Sequence, residues 1–139
     1  MPTDAAAAPG NSAPHQLTSR RISVCGPAQA WFVPTIRVMA ADLAGRADFT
    51  LDGIDDLRMA VDEACGCLLR LADQEQPSHC SFQASPAKIE VRARVSVRHP
   101  DSTLDTSGFG WRVLTCLTDE ASTTREGDEL QIRVTKTAP

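Results

Sequence analysis

Asp56-Leu-Arg-Met-Ala-Val-Asp-Glu-Ala-Cys-Gly-Cys67 is the stretch on which the reading of this chain turns. With its flanks, it places apolar residues at Ile54, Leu57, Val61, Ala64 and Leu68. Steps of three and four put them on one side of an α-helix, as a stripe that packs on a core. Asp52 reads as the N-cap, and Asp55 and Asp56 bring negative charge to the positive end of the helix. Gly66 weakens the helix by about 1 kcal/mol relative to alanine, so it marks close backbone packing or nothing at all. Glu63 lies off the stripe, and Cys67 follows it one turn later.

Upstream, Ala28 to Ala44 reads as another helix with a loose stripe of Trp31, Thr35, Val38, Met39 and Leu43. Pro34 lies inside that run, which predicts either a kink or a helix that starts late. Gly45 is the expected stop. Before it, Arg20 to Cys25 alternates weakly, with Ile22 and Val24 on one side. That predicts a first strand, ended by Gly26-Pro27.

Downstream, Gln76-Pro77-Ser78 ends the helical part and Cys80 to Ala84 is a short strand. Lys88 to Arg98 alternates almost strictly. Ile89, Val91, Ala93, Val95 and Val97 face one way, and Glu90, Arg92, Arg94, Ser96 and Arg98 the other. Such a strand has one buried and one wet face. His99 to Ser107 is a polar loop, Phe109 to Leu117 is apolar at helical spacing, and Glu129 to Thr137 is a final strand. The order β-α-α-β-β-α-β-β predicts an α+β two-layer sandwich, a mostly antiparallel sheet with helices on one face.

The 139 residues suit one domain. Residues 1–16, rich in Ala, Pro, Ser and Gly, read as a disordered tail, and 17–139 as the folded domain. A net charge of −4 argues against a general nucleic-acid binder, which would be basic. No apolar run reaches the roughly 20 residues of a membrane span. The N-terminus does not read as a secretory signal, so the cytoplasm is expected. The five cysteines are irregularly spaced, and Cys65 and Cys67 point in different directions on a helix. They read as small, reduced, mostly buried thiols, with a redox switch as the alternative. His15, His79 and His99 are scattered, and no metal-ligand spacing occurs. Arg92, Arg94 and Arg98 are either the wet face of a strand or the complement of an acidic partner. Trp31 and Trp111 read as core or interface anchors.

Two segments together carry a family resemblance: Leu57 to Cys67, and Ser107-Gly-Phe-Gly-Trp-Arg-Val-Leu-Thr-Cys-Leu-Thr-Asp119. They resemble the N-box helix and second glycine box of the histidine-kinase-like ATPase superfamily. The similarity is greatest to its bacterial anti-sigma factor and serine-protein kinase branch, and within that to the actinobacterial sigma-F anti-sigma factors. It covers about residues 20 to 136.

The resemblance implies ATP and magnesium as cofactors, with Glu63 as the general base towards a partner's serine. Cys67 stands where the family carries the metal-binding Asn, and a neutral thiol is a poor ligand for a hard cation. The first glycine box is absent: His99-Pro-Asp-Ser-Thr-Leu-Asp-Thr106 has no glycine, and Asp101 or Asp105 stands in for the adenine-recognising Asp. Gly108 and Gly110 keep the second box, where helix amides favour an anion. Arg37 matches an Arg that contacts the sigma factor in the sporulation relative, or else it is an ordinary helix-surface residue. The function expected on these grounds is sequestration of an alternative sigma factor, with release by a STAS-type antagonist and a homodimer as the working unit. The competing expectations are an active serine kinase acting on that antagonist, and a ligand or redox sensor built on the old pocket.

Overall fold

The computed structural model describes residues 20–138. The expected tail, with His15, lies outside them. The elements are β1 (Arg20–Pro27), a 3₁₀ turn at Ala30–Phe32, α1 (Val33–Arg46), α2 (Leu51–Leu69), β2 (Pro77–Ser85), β3 (Lys88–Ser96), α3 (Phe109–Leu117), β4 (Glu120–Glu126) and β5 (Glu129–Thr137). The sheet runs β1-β2-β3-β5-β4, and every neighbouring pair is antiparallel. This is the two-layer α+β sandwich that the order of elements predicts.

The alternation along β3 sets the two faces. Ile89, Val91, Ala93 and Val95 are buried under the helices. Because cross-strand partners share a face, the register carries one apolar row across the sheet, Ile22, Phe82, Val91, Val134 and Ala121, buried at its centre and exposed at Ile22. Leu57, Val61, Ala64 and Leu68 of α2 are buried as their spacing requires, and they join the same core.

Several local features of the helices settle or correct the expectations. Thr50, not Asp52, caps α2: its hydroxyl accepts from the Gly53 amide at 3.1 Å, and Asp52 lies in the first turn. Pro34 falls in the first turn of α1, where its missing N–H costs nothing, so the helix starts late rather than kinking. The 3₁₀ turn before that start shifts the helical phase. The buried stripe of α1 is therefore Ile36, Ala40, Leu43 and Ala44. Trp31 and Val38 are 67% and 66% exposed, so Trp31 is no core anchor. The helix also runs past Gly45 and ends only where Asp48 takes a φ of 62°. No atom lies near a Cβ built on Gly66, so that glycine reflects no close packing.

The outer face is polar and knitted by ion pairs. Glu90 accepts from Arg133 at 2.6 Å and from Arg92 at 3.3 Å, and Arg94 pairs with Glu129 at 3.0 Å. The basic row is therefore a salt-bridged wet face, except Arg98, which donates to the Arg70 carbonyl at 2.9 Å. Burial alone would raise the Glu90 carboxyl, but the hydrogen bonds from Arg133 and Arg92 outweigh it and hold the group below its ordinary range. A carboxyl depressed by folding contributes stability above its unfolded value, near pH 4.5, and loses it as pH falls through the folded value. Glu90→Gln is therefore expected to cost roughly 1–2 kcal/mol at neutral pH and to flatten the acid limb of a stability–pH profile. Urea midpoints from about pH 7 down to pH 3 read this directly. An acid limb of unchanged slope in the variant would refute it.

Candidate functional site: the cleft between α2 and α3

The end of α2 is fixed to the sheet. Ala72 bridges Val97, the Asp73 amide donates to the Ser96 carbonyl at 2.7 Å, and the Arg98 amide donates to the Leu71 carbonyl at 3.0 Å. The far end of α3 is fixed by Lys136, whose ammonium donates to the Leu117 carbonyl at 2.9 Å and pairs with Asp56 at 3.4 Å. A cation there also suits the negative end of the helix. Leu114 is the buried residue of α3. Between these anchors lies a cleft of about 330 Å³, walled by the last turn of α2, by Thr103 to Asp105, and by Gly108 to Trp111.

The structure brings five of the sequence-predicted residues together around the first turn of α3. Gly110 rests on α2 so closely that a Cβ there would lie 2.6 Å from Glu63 Oε2 and 3.2 Å from Cys67 Sγ. Cys67 lines the cleft, whereas Glu63 is not among the lining residues. The Cys67 thiol lies 3.9 Å from Glu63 Oε2 and 3.7 Å from Arg70 Nη2. Burial first, and then Glu63, push that thiol up against the opposing pull of Arg70, so the sulfur stays protonated at neutral pH.

Asp105 is also engaged. Its carboxylate accepts from the Ser107 hydroxyl at 2.7 Å and the Ser107 amide at 3.0 Å, and those bonds hold it below the usual carboxylate range. It lies 2.8 Å from where a Gly108 Cβ would be, beside the N-terminus of α3. Asp101 is exposed on the loop and does not line the cleft. Arg37 is elsewhere too: its Nη1 reaches both oxygens of Asp62, at 2.9 and 2.8 Å, tying α1 to α2.

Sequence reasoning missed Arg70 and Arg125. Arg70 follows Cys67 by three residues, so helical spacing alone places the two side by side. Arg125 of β4 donates to the carbonyls of Pro100, Ser102 and Gly127 and so holds the loop that walls the cleft. No local pattern announces it, since the two loop carbonyls it holds lie more than twenty residues upstream. Trp111 lines the cleft and packs against the core.

Magnesium asks for hard oxygen ligands in near-octahedral array. The cleft offers a protonated thiol, the Asp105 carboxylate bonded through Oδ1 to Ser107, and a guanidinium, so the residues present do not fit that ion. Among the described residues no group of three or more His, Cys, Asp or Glu is placed to hold a metal.

The thiols divide sharply. Cys65, Cys67 and Cys80 are buried, while Cys25 and Cys116 are exposed. Burial and then Asp62 push Cys65 up to about 12, and burial and then Cys65 push Cys80 higher still. Thiolate is the reactive form. Native protein treated with iodoacetamide at about pH 8 should therefore label at Cys25 and Cys116 at least ten times faster than at Cys65 and Cys80. Peptide mass spectrometry reads the order, and fast labelling of Cys65 would contradict the packing described above.

Residues 27–136 match the histidine kinase-like ATPase domain. The chain belongs to that family. Over 93 residues it is 31% identical to the anti-sigma-F factor RsbW of Mycobacterium tuberculosis, in strains H37Rv and CDC 1551. That alignment covers 66% of this chain and 54% of the relative, so the chain spans about half the length of the curated relatives it matches. The crystal structure of the RsbU and RsbW domains of Rv1364c, also from Mycobacterium tuberculosis, superposes with a TM-score of 0.62 at 12% identity. It covers 85% of this chain and 32% of that one. At that identity the superposition establishes the histidine kinase-like ATPase fold and nothing finer. Among the described residues no helix is long and apolar enough to cross a membrane.

Proposed function

We propose that this chain is an anti-sigma factor that works by sequestration in the cytoplasm. It holds an alternative sigma factor of a stress-response type on the surface around α1, and a STAS-type antagonist competes for that surface to release it. A homodimer is the working unit. The observation that carries the reading is the Cys67 thiol, with the Arg70 guanidinium 3.7 Å from it, beside Glu63 in a chain akin to anti-sigma-F factors. Holding a partner needs a surface, whereas phosphoryl transfer needs an accessible base and a charge-neutralising metal. The exposed Trp31 and Val38, with Arg37 between them in sequence, supply the large apolar and charged groups from which interface anchors are made. The test is a pull-down with the immobilised chain against each alternative sigma factor of the source organism, prepared separately. Retention of at least one at micromolar concentration supports the reading, and retention of none ends it.

The enzymatic alternative is a serine kinase that phosphorylates the antagonist, with Glu63 as base. It is favoured by the carboxylate at position 63 and opposed by the thiol at 67. Labelled phosphate transfer to a STAS-type antagonist, abolished by Glu63→Ala, would establish it. The redox-sensor alternative finds little support, because the thiols nearest the cleft are shielded or protonated.

A further inference from the structure

We propose that Arg70 has taken the place of the divalent cation in this cleft, and that the cleft therefore excludes a magnesium–nucleotide complex. The inference deepens the sequestration reading by removing magnesium-dependent phosphorylation as a way to reset the partner switch. Its test involves no partner protein, so the two readings fail separately.

Four observations converge. Cys67 supplies sulfur where a hard cation needs oxygen. The Arg70 guanidinium lies 3.7 Å from that sulfur, close to where an ion held by residue 67 would sit, and like charges repel across that distance. An arginine cannot lose its proton to make room. Glu63 Oε2, the nearest carboxylate oxygen to Cys67 Sγ at 3.9 Å, is turned under the first turn of α3 at Gly110. Asp105 gives its Oδ1 to the amide and hydroxyl of Ser107, so at most one of its oxygens faces the cleft. Residue 67 thus offers no oxygen to anchor a hydrated magnesium ion, which otherwise takes its ligands from water and phosphate. Arg70 is a single charge at the cleft that can meet an anion directly.

The experiment measures ATP affinity by calorimetry, once with magnesium and once with EDTA, for four proteins: the natural chain, Cys67→Asn, Arg70→Ala, and the double variant. Circular dichroism confirms that each is folded. In the natural chain the two affinities should agree within about twofold, or no heat should appear in either condition; both results support the proposal. Tightening by magnesium of tenfold or more in the natural chain would overturn it. Cys67→Asn alone should remain insensitive to magnesium, because the guanidinium still stands beside residue 67. The double variant should gain magnesium dependence of about tenfold. If it gains none, the exclusion does not reside in Cys67 and Arg70, and the assignment to Arg70 falls.

Discussion

Replacing Phe82 by alanine is expected to remove about 3–5 kcal/mol from the unfolding free energy. Phe82 is 1% exposed and sits in the apolar row between Ile22 and Val91. The cost has two parts, the lost transfer of the ring from water and the cavity left behind. The cavity part should be near the top of its range here. The helices over the sheet contribute Ala40, Ala44, Ala60 and Ala64 to the core, and alanine has no rotamers with which to fill a void. Domains of this size are stable by roughly 5–15 kcal/mol, so a third or more of the total would go. Urea denaturation should show the midpoint falling with little change in slope. Phe82→Leu keeps most of the volume and should cost less than about 1.5 kcal/mol. A Phe82→Ala variant within about 1 kcal/mol of the natural chain would mean the core is less tightly filled than the structure has it.

On the sequestration proposed above, with Arg37 as an anchor, Arg37→Glu should weaken capture of a sigma factor by roughly 100-fold. The same change breaks the Arg37–Asp62 pair, whose side chains are 34% and 42% exposed. At that exposure the pair is screened and worth under about 1 kcal/mol, so the fold survives its loss. The swap Arg37→Asp with Asp62→Arg separates the two effects. It restores the link between α1 and α2 and moves the positive charge to the other helix. If the swapped protein captures the partner normally, Arg37 is a strut and the interface lies elsewhere. If it is stable yet does not bind, Arg37 reads the partner directly.

The sheet and α2 were legible because their signals are redundant. Five alternating apolar residues from Ile89 to Val97, and five at helical spacing from Ile54 to Leu68, each point one way. α1 was half legible. Its stripe was misassigned because a 3₁₀ turn at Ala30–Phe32 precedes the helix, and a change from three to 3.6 residues per turn leaves no mark in composition. At the cleft, the glycines at 108 and 110 pointed to close approach, but a glycine does not name what approaches it. That the neighbours are Asp105 and Glu63 depends on how α3 docks on α2. Asp105 was weighed as an adenine ligand, and the Ser107 bonds that occupy it are local and could have been read from the Asp-x-Ser spacing. Arg125 was out of reach, since its carbonyl partners meet it only once β4 has joined the sheet.

The contact of Gly110 with Glu63 and Cys67 has an evolutionary consequence. If Cys67 and Arg70 together exclude the ion, as proposed, the exclusion cannot be undone one residue at a time. Asparagine at 67 alone meets the Arg70 charge, and loss of Arg70 alone leaves a thiol. Either change leaves Glu63 beneath α3. Selection would find no advantage in any single reversion, so the arrangement acts as a ratchet.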